Sequence, residues 1–299
     1  MEDNEKKQFA LIEGAISCGS PTVGSEGAYD ALMSGGLGEI FPEAAWFPME
    51  KAVPCREFPP GLRHLDTVMG VSRRLRANIL TAMEEDRFPI IIGGDHSIAM
   101  GSLAAMGETY GAENLAVVYI DAHADINTEH TSVSGYIHGM DLAAACGLCG
   151  PALDVGTQKV NLLGKNIHIL GGRSIDPPEY AIMARQAVRF HSAREVHRRG
   201  VGAVLEEFMP EIQDKRVHIS FDVDSLDPSV FSSTGYLLPN GLTLAQVELI
   251  LRTVLATGRV CGFECVEYNP RLDRTGRDLN TLLRLFRLVR EQLTKVWKA

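Results

Sequence analysis

The sequence predicts an α/β fold around a mostly parallel sheet. Two patterns point to it. Short apolar runs alternate with amphipathic helical segments, and a polar cluster follows each run. The runs are continuous rather than alternating, as in strands buried on both faces of a parallel sheet.

In chain order, segment 66–86 reads as the first helix, with Val68, Val71, Leu75, Ile79 and Met83 on one side. FPIII (88–92) reads as a strand and runs into GGDHS (93–97). LAVVYI (115–120) precedes DAHADIN (121–127), and DLAAA (141–145) reads as a helix. Much of 142–165 reads as irregular. NIHIL (166–170) precedes GGRSID, and 193–212 reads as one helix. RVHISF (216–221) precedes DVDSLDP, where Asp227-Pro228 is a turn former. Segment 231–241 reads as a loop. A helix over 243–257 follows, with Thr243 placed as its N-cap and Gly258 where a C-terminal cap falls. RVCGFECV (259–266) precedes EYNP, and 275–293 is the last helix. No Pro/Gly/Ser-rich linker or fixed-period repeat divides the chain, so residues 1–299 are expected to form a single domain.

With 299 residues, 45% apolar and 22% charged, the chain can bury a large core and is not of disordered type. A net charge of −9 disfavours nucleic acid and anionic membranes and suits a cationic small substrate. The first residues, MEDNEKKQF, are polar, and no apolar run reaches membrane-span length. A cytoplasmic protein with reduced thiols is expected. The six cysteines are Cys18, Cys55, Cys146, Cys149, Cys261 and Cys265. Cys146-Gly-Leu-Cys149 has redox spacing. It follows a helix rather than a strand, so a structural role is expected.

Ligands of open parallel sheets bind outside the carboxyl ends of the strands. Those ends supply His96, then Asp121, His123 and Asp125, then Asp222 and Asp224, then Glu267. Strand alternation would turn Asp121, His123 and Asp125 to one side, and likewise Asp222 and Asp224. So many carboxylates cannot stay ionised together without cations. Nitrogen and oxygen donors without thiolate suit Mn²⁺, Zn²⁺ or Fe²⁺. Two such ions about 3.5 Å apart would activate a water as a nucleophile. GGDHS lacks the lysine and serine of a P-loop. Its glycines are expected to turn the backbone sharply so that His96 reaches the ions.

GGDHS, DAHADIN, SGYIHG (134–139), SFDVDSLDP (220–228) and EYNP (267–270) together resemble the ureohydrolase family, the arginases and agmatinases. The resemblance implies a three-layer α/β/α domain on an eight-stranded sheet. It also implies two Mn²⁺ per chain and hydrolysis of a guanidino group. By resemblance, His96, Asp121, Asp125 and Asp222 hold one ion. His123, Asp121, Asp222 and Asp224 hold the other. Asp125 passes a proton to the leaving amine, Glu267 holds the guanidinium and His138 shuttles protons. Asn127, Ser132 and Ser134 match positions that receive the α-carboxylate of arginine, and Asp176 and Glu179 match those near its α-amino group. L-Arginine is therefore the expected substrate, giving L-ornithine and urea. Agmatinase, or another guanidino-acid or hydroxyarginine amidinohydrolase, is the alternative, and an inactive metal-binding regulatory homologue is the alternative of another class. A metallophosphoesterase would need an Asn-His pair and a second Gly-Asp cluster that the sequence lacks. A histone-deacetylase-like enzyme would use one zinc ion. Family members are trimers or hexamers, so a homo-oligomer is expected. Three positions depart from the pattern. Tyr236 stands where the family carries threonine, Ser174 where arginases often carry Asp, and Tyr136 where they often carry Asn. Tyr236 is expected to narrow or re-aim the guanidinium end.

Overall fold

The computed structural model describes residues 8–52 and 61–298, so Cys55 and the start of the MEDNEKKQF segment lie outside the described residues. Eight strands form one sheet. They are β1 (Gln8–Gly14), β2 (Ala45–Phe47), β3 (Arg87–Gly93), β4 (Leu115–Ile120), β5 (Ile167–Gly172), β6 (Arg189–Ser192), β7 (Arg216–Asp222) and β8 (Val260–Val266). Their order is β2-β1-β3-β8-β7-β4-β5-β6. Every neighbouring pair is parallel.

Both faces of the sheet are covered, which makes three layers. On β4, Ala116, Val118 and Ile120 enter one apolar cluster, while Leu115, Val117 and Tyr119 enter the other. Helices Val201–Ile212, Leu244–Leu255 and Arg277–Trp297 pack on the first face. Helices Leu65–Glu84 and Ala99–Tyr110 pack on the second. Each fully buried Leu, Ile or Val contributes roughly 1.5–3 kcal/mol, so this double burial is the main force holding the layers.

Most helices follow the expected pattern. Val68, Val71, Leu75 and Ile79 are buried along Leu65–Glu84, and Met83 is partly buried. Thr243 caps Leu244–Leu255, accepting from the Gln246 N–H at 3.2 Å while Gln246 Oε1 accepts from the Thr243 N–H at 2.9 Å. One expectation needs correcting: 193–212 is two helices, Ala193–Arg199 and Val201–Ile212. Gly200 between them has φ 82°, a left-handed conformation that ends a helix.

The crossover from β3 to β4 passes over β8 and β7. The carboxyl ends of these four central strands therefore border one crevice, where parallel α/β sheets bind ligands. No helix among the described residues is long and apolar enough to cross a membrane. Among the described residues, Cys146, Cys149 and Cys265 carry free thiols. Burial pushes both Cys146 and Cys149 up to about 12, which leaves them unreactive and supports the structural reading.

Candidate metal and catalytic site

The four strand ends deliver the predicted donors. Asp121 directly follows β4, Asp222 ends β7, Glu267 directly follows β8, and His96 lies three residues past β3. Gly94 makes the last approach possible. A Cβ there would sit 1.9 Å from the Ile16 carbonyl oxygen, so the glycine serves close packing against the segment after β1. The chain bends at Gly94 and Asp95 just before His96, as expected, although neither Gly93 nor Gly94 has a positive φ. Asp95 secures the segment, with Oδ2 accepting from the Gly19 N–H at 2.7 Å and Oδ1 from the Ser97 N–H at 3.0 Å.

The donors converge, but strand alternation is not the cause. The chain leaves the strand conformation at Asp121, and Asp125 adopts φ 42°, which curls it back toward His96. Val223–Ser225 is a 3₁₀ turn, with Asp222 Oδ1 accepting from the Asp224 N–H at 2.7 Å. Glu267 also has positive φ, 64°. Such backbone costs about 1–3 kcal/mol at a non-glycine residue and persists where its surroundings enforce it.

Two adjoining groups of donors share Asp121. In the first, His96 Nδ1 lies 2.9 Å from Asp121 Oδ2, 3.2 Å from Asp125 Oδ2 and 3.2 Å from Asp222 Oδ2. In the second, His123 Nδ1 lies 3.1 Å from Asp224 Oδ2 and 3.5 Å from Asp121 Oδ1. Asp121, Asp222, Asp224 and Asp125 are all buried. Burial, then Asp224 and Asp121, pushes Asp222 well above the usual carboxylate range. Burial alone would depress both imidazoles. Asp141, Asp121, Asp125 and Asp222 overcome it at His96, and Asp224 and Asp121 overcome it at His123, so both stand well above the ordinary histidine value.

The donor set fits divalent cations. Asp121 Oδ2 is buried, and the polar atom beside it, His96 Nδ1 at 2.9 Å, is itself a candidate metal donor, an arrangement that a cation facing both would stabilise. The donors are carboxylate oxygens and imidazole nitrogens, a set suited to first-row divalent ions. Four buried carboxylates match the charge of two such ions.

Around this centre, Glu267 Oε1 accepts from the His96 N–H at 2.9 Å and lies 3.4 Å from His138 Nδ1. Burial raises Glu267 despite the opposing pull of His138. Tyr236 sits over the centre. Its ring stacks on His138 at 5.8 Å between centroids and meets His123 edge-on at 5.3 Å. Asn127 is buried, donating from Nδ2 to Asp176 Oδ2 at 3.0 Å. Asp176 is exposed. Ser132 is half-buried and accepts from the Gly135 N–H at 3.1 Å, while exposed Ser134 accepts from the Tyr136 N–H at 3.3 Å. Both Glu179 oxygens accept from backbone, Oε1 from Ile126 at 3.1 Å and Oε2 from Asp176 at 2.8 Å. Burial raises Glu179 to about 7. Ser174 binds the Ala122 carbonyl through its own N–H at 3.0 Å. Arg63 lies over the Tyr136 ring, 4.9 Å from its centroid. A surface hollow of about 730 Å³ between Arg73, Leu153 and Lys159 contains none of these donors, so chemistry rather than size locates the site.

Sequence patterns do not reveal several supporting residues. Ser220 Oγ lies 2.8 Å from His96 Nε2. Arg173 donates to the carbonyls of Asp224 at 2.7 Å and Leu226 at 3.2 Å through Nη2, and of Ser225 at 3.1 Å through Nη1. Tyr119 and Asp141 lie beneath His96 and Asp125. Ser220 and Tyr119 carry one available signal: each stands two residues before a predicted donor, on the same side of its strand.

The fold and the site define a parallel α/β protein with a buried carboxylate–imidazole centre able to hold metal. Comparison with known proteins narrows the class. The model of the Arginase family matches residues 47–293. The arginase of Bacillus caldovelox is 35% identical over 227 residues, covering 75% of each chain. Its solved structure aligns with a TM-score of 0.88 over 95% of this chain and 98% of that one, at 31% identity. The Entamoeba histolytica arginase in complex with L-ornithine aligns with a TM-score of 0.84 at 28% identity, over 95% of this chain and 99% of that one. The chain belongs to the arginase family.

Proposed function

We propose that this protein hydrolyses L-arginine to L-ornithine and urea with the help of two Mn²⁺ ions. His96, Asp121, Asp125 and Asp222 hold one ion. His123, Asp224, Asp121 and Asp222 would hold the other, Asp121 and Asp222 serving both. The observation that carries this reading is the position of Asp121 between both donor groups, with buried Oδ2 2.9 Å from His96 Nδ1 and Oδ1 3.5 Å from His123 Nδ1. Bound there, the ions supply an activated water and offset the charge of the carboxylates.

The chain's own residues do the rest. Glu267 binds the guanidinium, since planar forked donors favour a carboxylate. Asp125, with Oδ2 3.2 Å from His96 Nδ1, would hold a proton for the leaving amine. His138, against Glu267 and on the outer side of the centre, relays protons to solvent. Asn127, Ser132 and Ser134 receive the α-carboxylate and Asp176 the α-amino group. Glu179 accompanies Asp176 in that role by holding its backbone and that of Ile126. Agmatine lacks the carboxylate and would forgo these hydrogen bonds, each worth about 1.5–3 kcal/mol at most when made to a charged group. The complete donor set argues against an inactive regulatory homologue.

The free thiols of Cys146, Cys149 and Cys265 fit a cytoplasmic protein. Family resemblance supports a single-domain subunit in a trimer or hexamer, which sedimentation will read. The test of function is urea release with Mn²⁺ from arginine, agmatine, guanidinobutyrate and hydroxyarginine. Arginine is expected to be turned over fastest. Urea from agmatine alone would overturn the substrate, and urea from none would favour the regulatory reading.

A further inference from the structure

Tyr119 precedes Asp121 by two residues on β4 and is completely buried. Its ring lies parallel to that of His96, with centroids 4.6 Å apart. Its hydroxyl is 3.0 Å from Asp125 Oδ2 and 3.1 Å from His96 Nδ1. The same hydroxyl is 3.2 Å from Asp141 Oδ1 and 3.1 Å from Asp141 Oδ2. Asp141 is itself 0% exposed, at the start of helix Asp141–Ala145. Packing alone would place an apolar side chain here, because a buried carboxylate is costly unless something compensates it. Glu264, a further buried acid, adds to the electrostatic load on Asp141 rather than relieving it. Donor atoms of His96, Asp125 and Asp141 all lie within 4.8 Å of one another, so His96 or a cation held beside it is placed to compensate this carboxylate.

We propose that Asp141 and Tyr119 are positioning residues that set how tightly this chain holds the cation beside His96. The inference rests on the two-ion reading above. The phenol stands between two acids with a single proton. Both oxygens of Asp141 flank it and stop it from rotating. It in turn keeps Asp125 Oδ2 and His96 Nδ1 in register for one ion. Asp141 also adds an oxygen pair immediately behind those donors, on the first ion's side only. The hydrogen bonds of Tyr119 run to His96, Asp125 and Asp141, all on the first ion's side and not to His123 or Asp224.

Outer partners of metal ligands are worth about 10- to 100-fold in affinity. The test uses the metal-stripped full-length chain, refilled with Mn²⁺ in competition with a chelator, for wild type, Asp141→Asn and Tyr119→Phe. Both variants keep side-chain shape. The expected result is two ions in each protein, one dissociation constant weakened at least about 10-fold and the other within about twofold of wild type. The electron-paramagnetic-resonance signal should change from a coupled pair to a single ion at limiting Mn²⁺. A merely structural role would lower the melting temperature of the metal-free form and leave both constants in place, and that result overturns the proposal. Equal weakening of both constants also overturns it. A wild type that binds no pair of ions removes the two-ion reading itself, an outcome distinct from the other two.

Discussion

Arg173 offers the sharpest test of how the site is held together. It follows β5, and its N–H binds the Ala122 carbonyl at 2.7 Å, inside the segment that carries Asp121, His123 and Asp125. Its guanidinium binds the carbonyls of Asp224, Ser225, Leu226, Gly171 and Leu238, the last at 2.9 Å from Nη2 and 3.3 Å from Nε. The side chain thus ties the end of β5 to the segment after β7 and the loop bearing Tyr236, while the backbone N–H alone reaches the segment after β4. In Arg173→Met these carbonyls lose a charged donor. Ser225 keeps the Leu242 N–H at 2.8 Å, so its loss is small. The buried Asp224 carbonyl loses its 2.7 Å partner, a penalty of about 1–3 kcal/mol, and each other charge-assisted bond adds a part of its usual 1.5–3 kcal/mol. About 3–5 kcal/mol in all is expected, the range for breaking a buried charged network. Arg173→Lys should recover less than half, because an ammonium cannot reproduce the planar fork. Urea denaturation of the metal-free protein measures this. A loss below about 1 kcal/mol in the methionine variant would refute the role assigned to Arg173.

Two further outcomes follow from single residues. His168 on β5 is buried with neither ring nitrogen hydrogen-bonded, and burial lowers it from 6.5 to about 4. The unfolded chain therefore takes up a proton below pH 6.5 that the folded chain refuses until about pH 4. Stability falls as pH drops through that window, by up to about 3 kcal/mol. His168→Leu should flatten that limb of the curve of urea midpoint against pH, and an unchanged slope would rule His168 out as its source. Tyr236→Thr removes the ring stacked on His138 and set against His123. It should change kcat for arginine several-fold, and an unaltered kcat would mean that the ring does not shape the guanidinium end.

The central strands were legible because β3, β4, β7 and β8 are buried on both faces and read as unbroken apolar runs. The outer strands were not. β2 has three residues with Trp46 59% exposed, and β6 has four with Arg189 exposed, too little apolar sequence to register. Helix Ala99–Tyr110 escaped for the opposite reason. Nine of its residues, Ala99 through Gly107, are buried, so no polar face alternates with the apolar one. Gly101 and Gly107 let it press on the backbones of Ser72 and Asn161, a contact that no local pattern encodes.

At the site, residue types and spacing marked the donors, since few structures besides a metal centre explain DAHAD and DVD at neighbouring strand ends. The route by which they converge was not legible. It depends on the positive φ of Asp125 and the 3₁₀ turn after Asp222. The partnership of Tyr119 with Asp141 joins residues that are 22 positions apart and follows no periodic rule.

The most direct measurement is the number of Mn²⁺ ions that the metal-free chain binds at equilibrium, for wild type and Asp121→Ala. Sharing of Asp121 by both donor groups predicts two ions per wild-type chain and fewer than two, with no urea release, in the variant. Two ions held by Asp121→Ala would contradict the account.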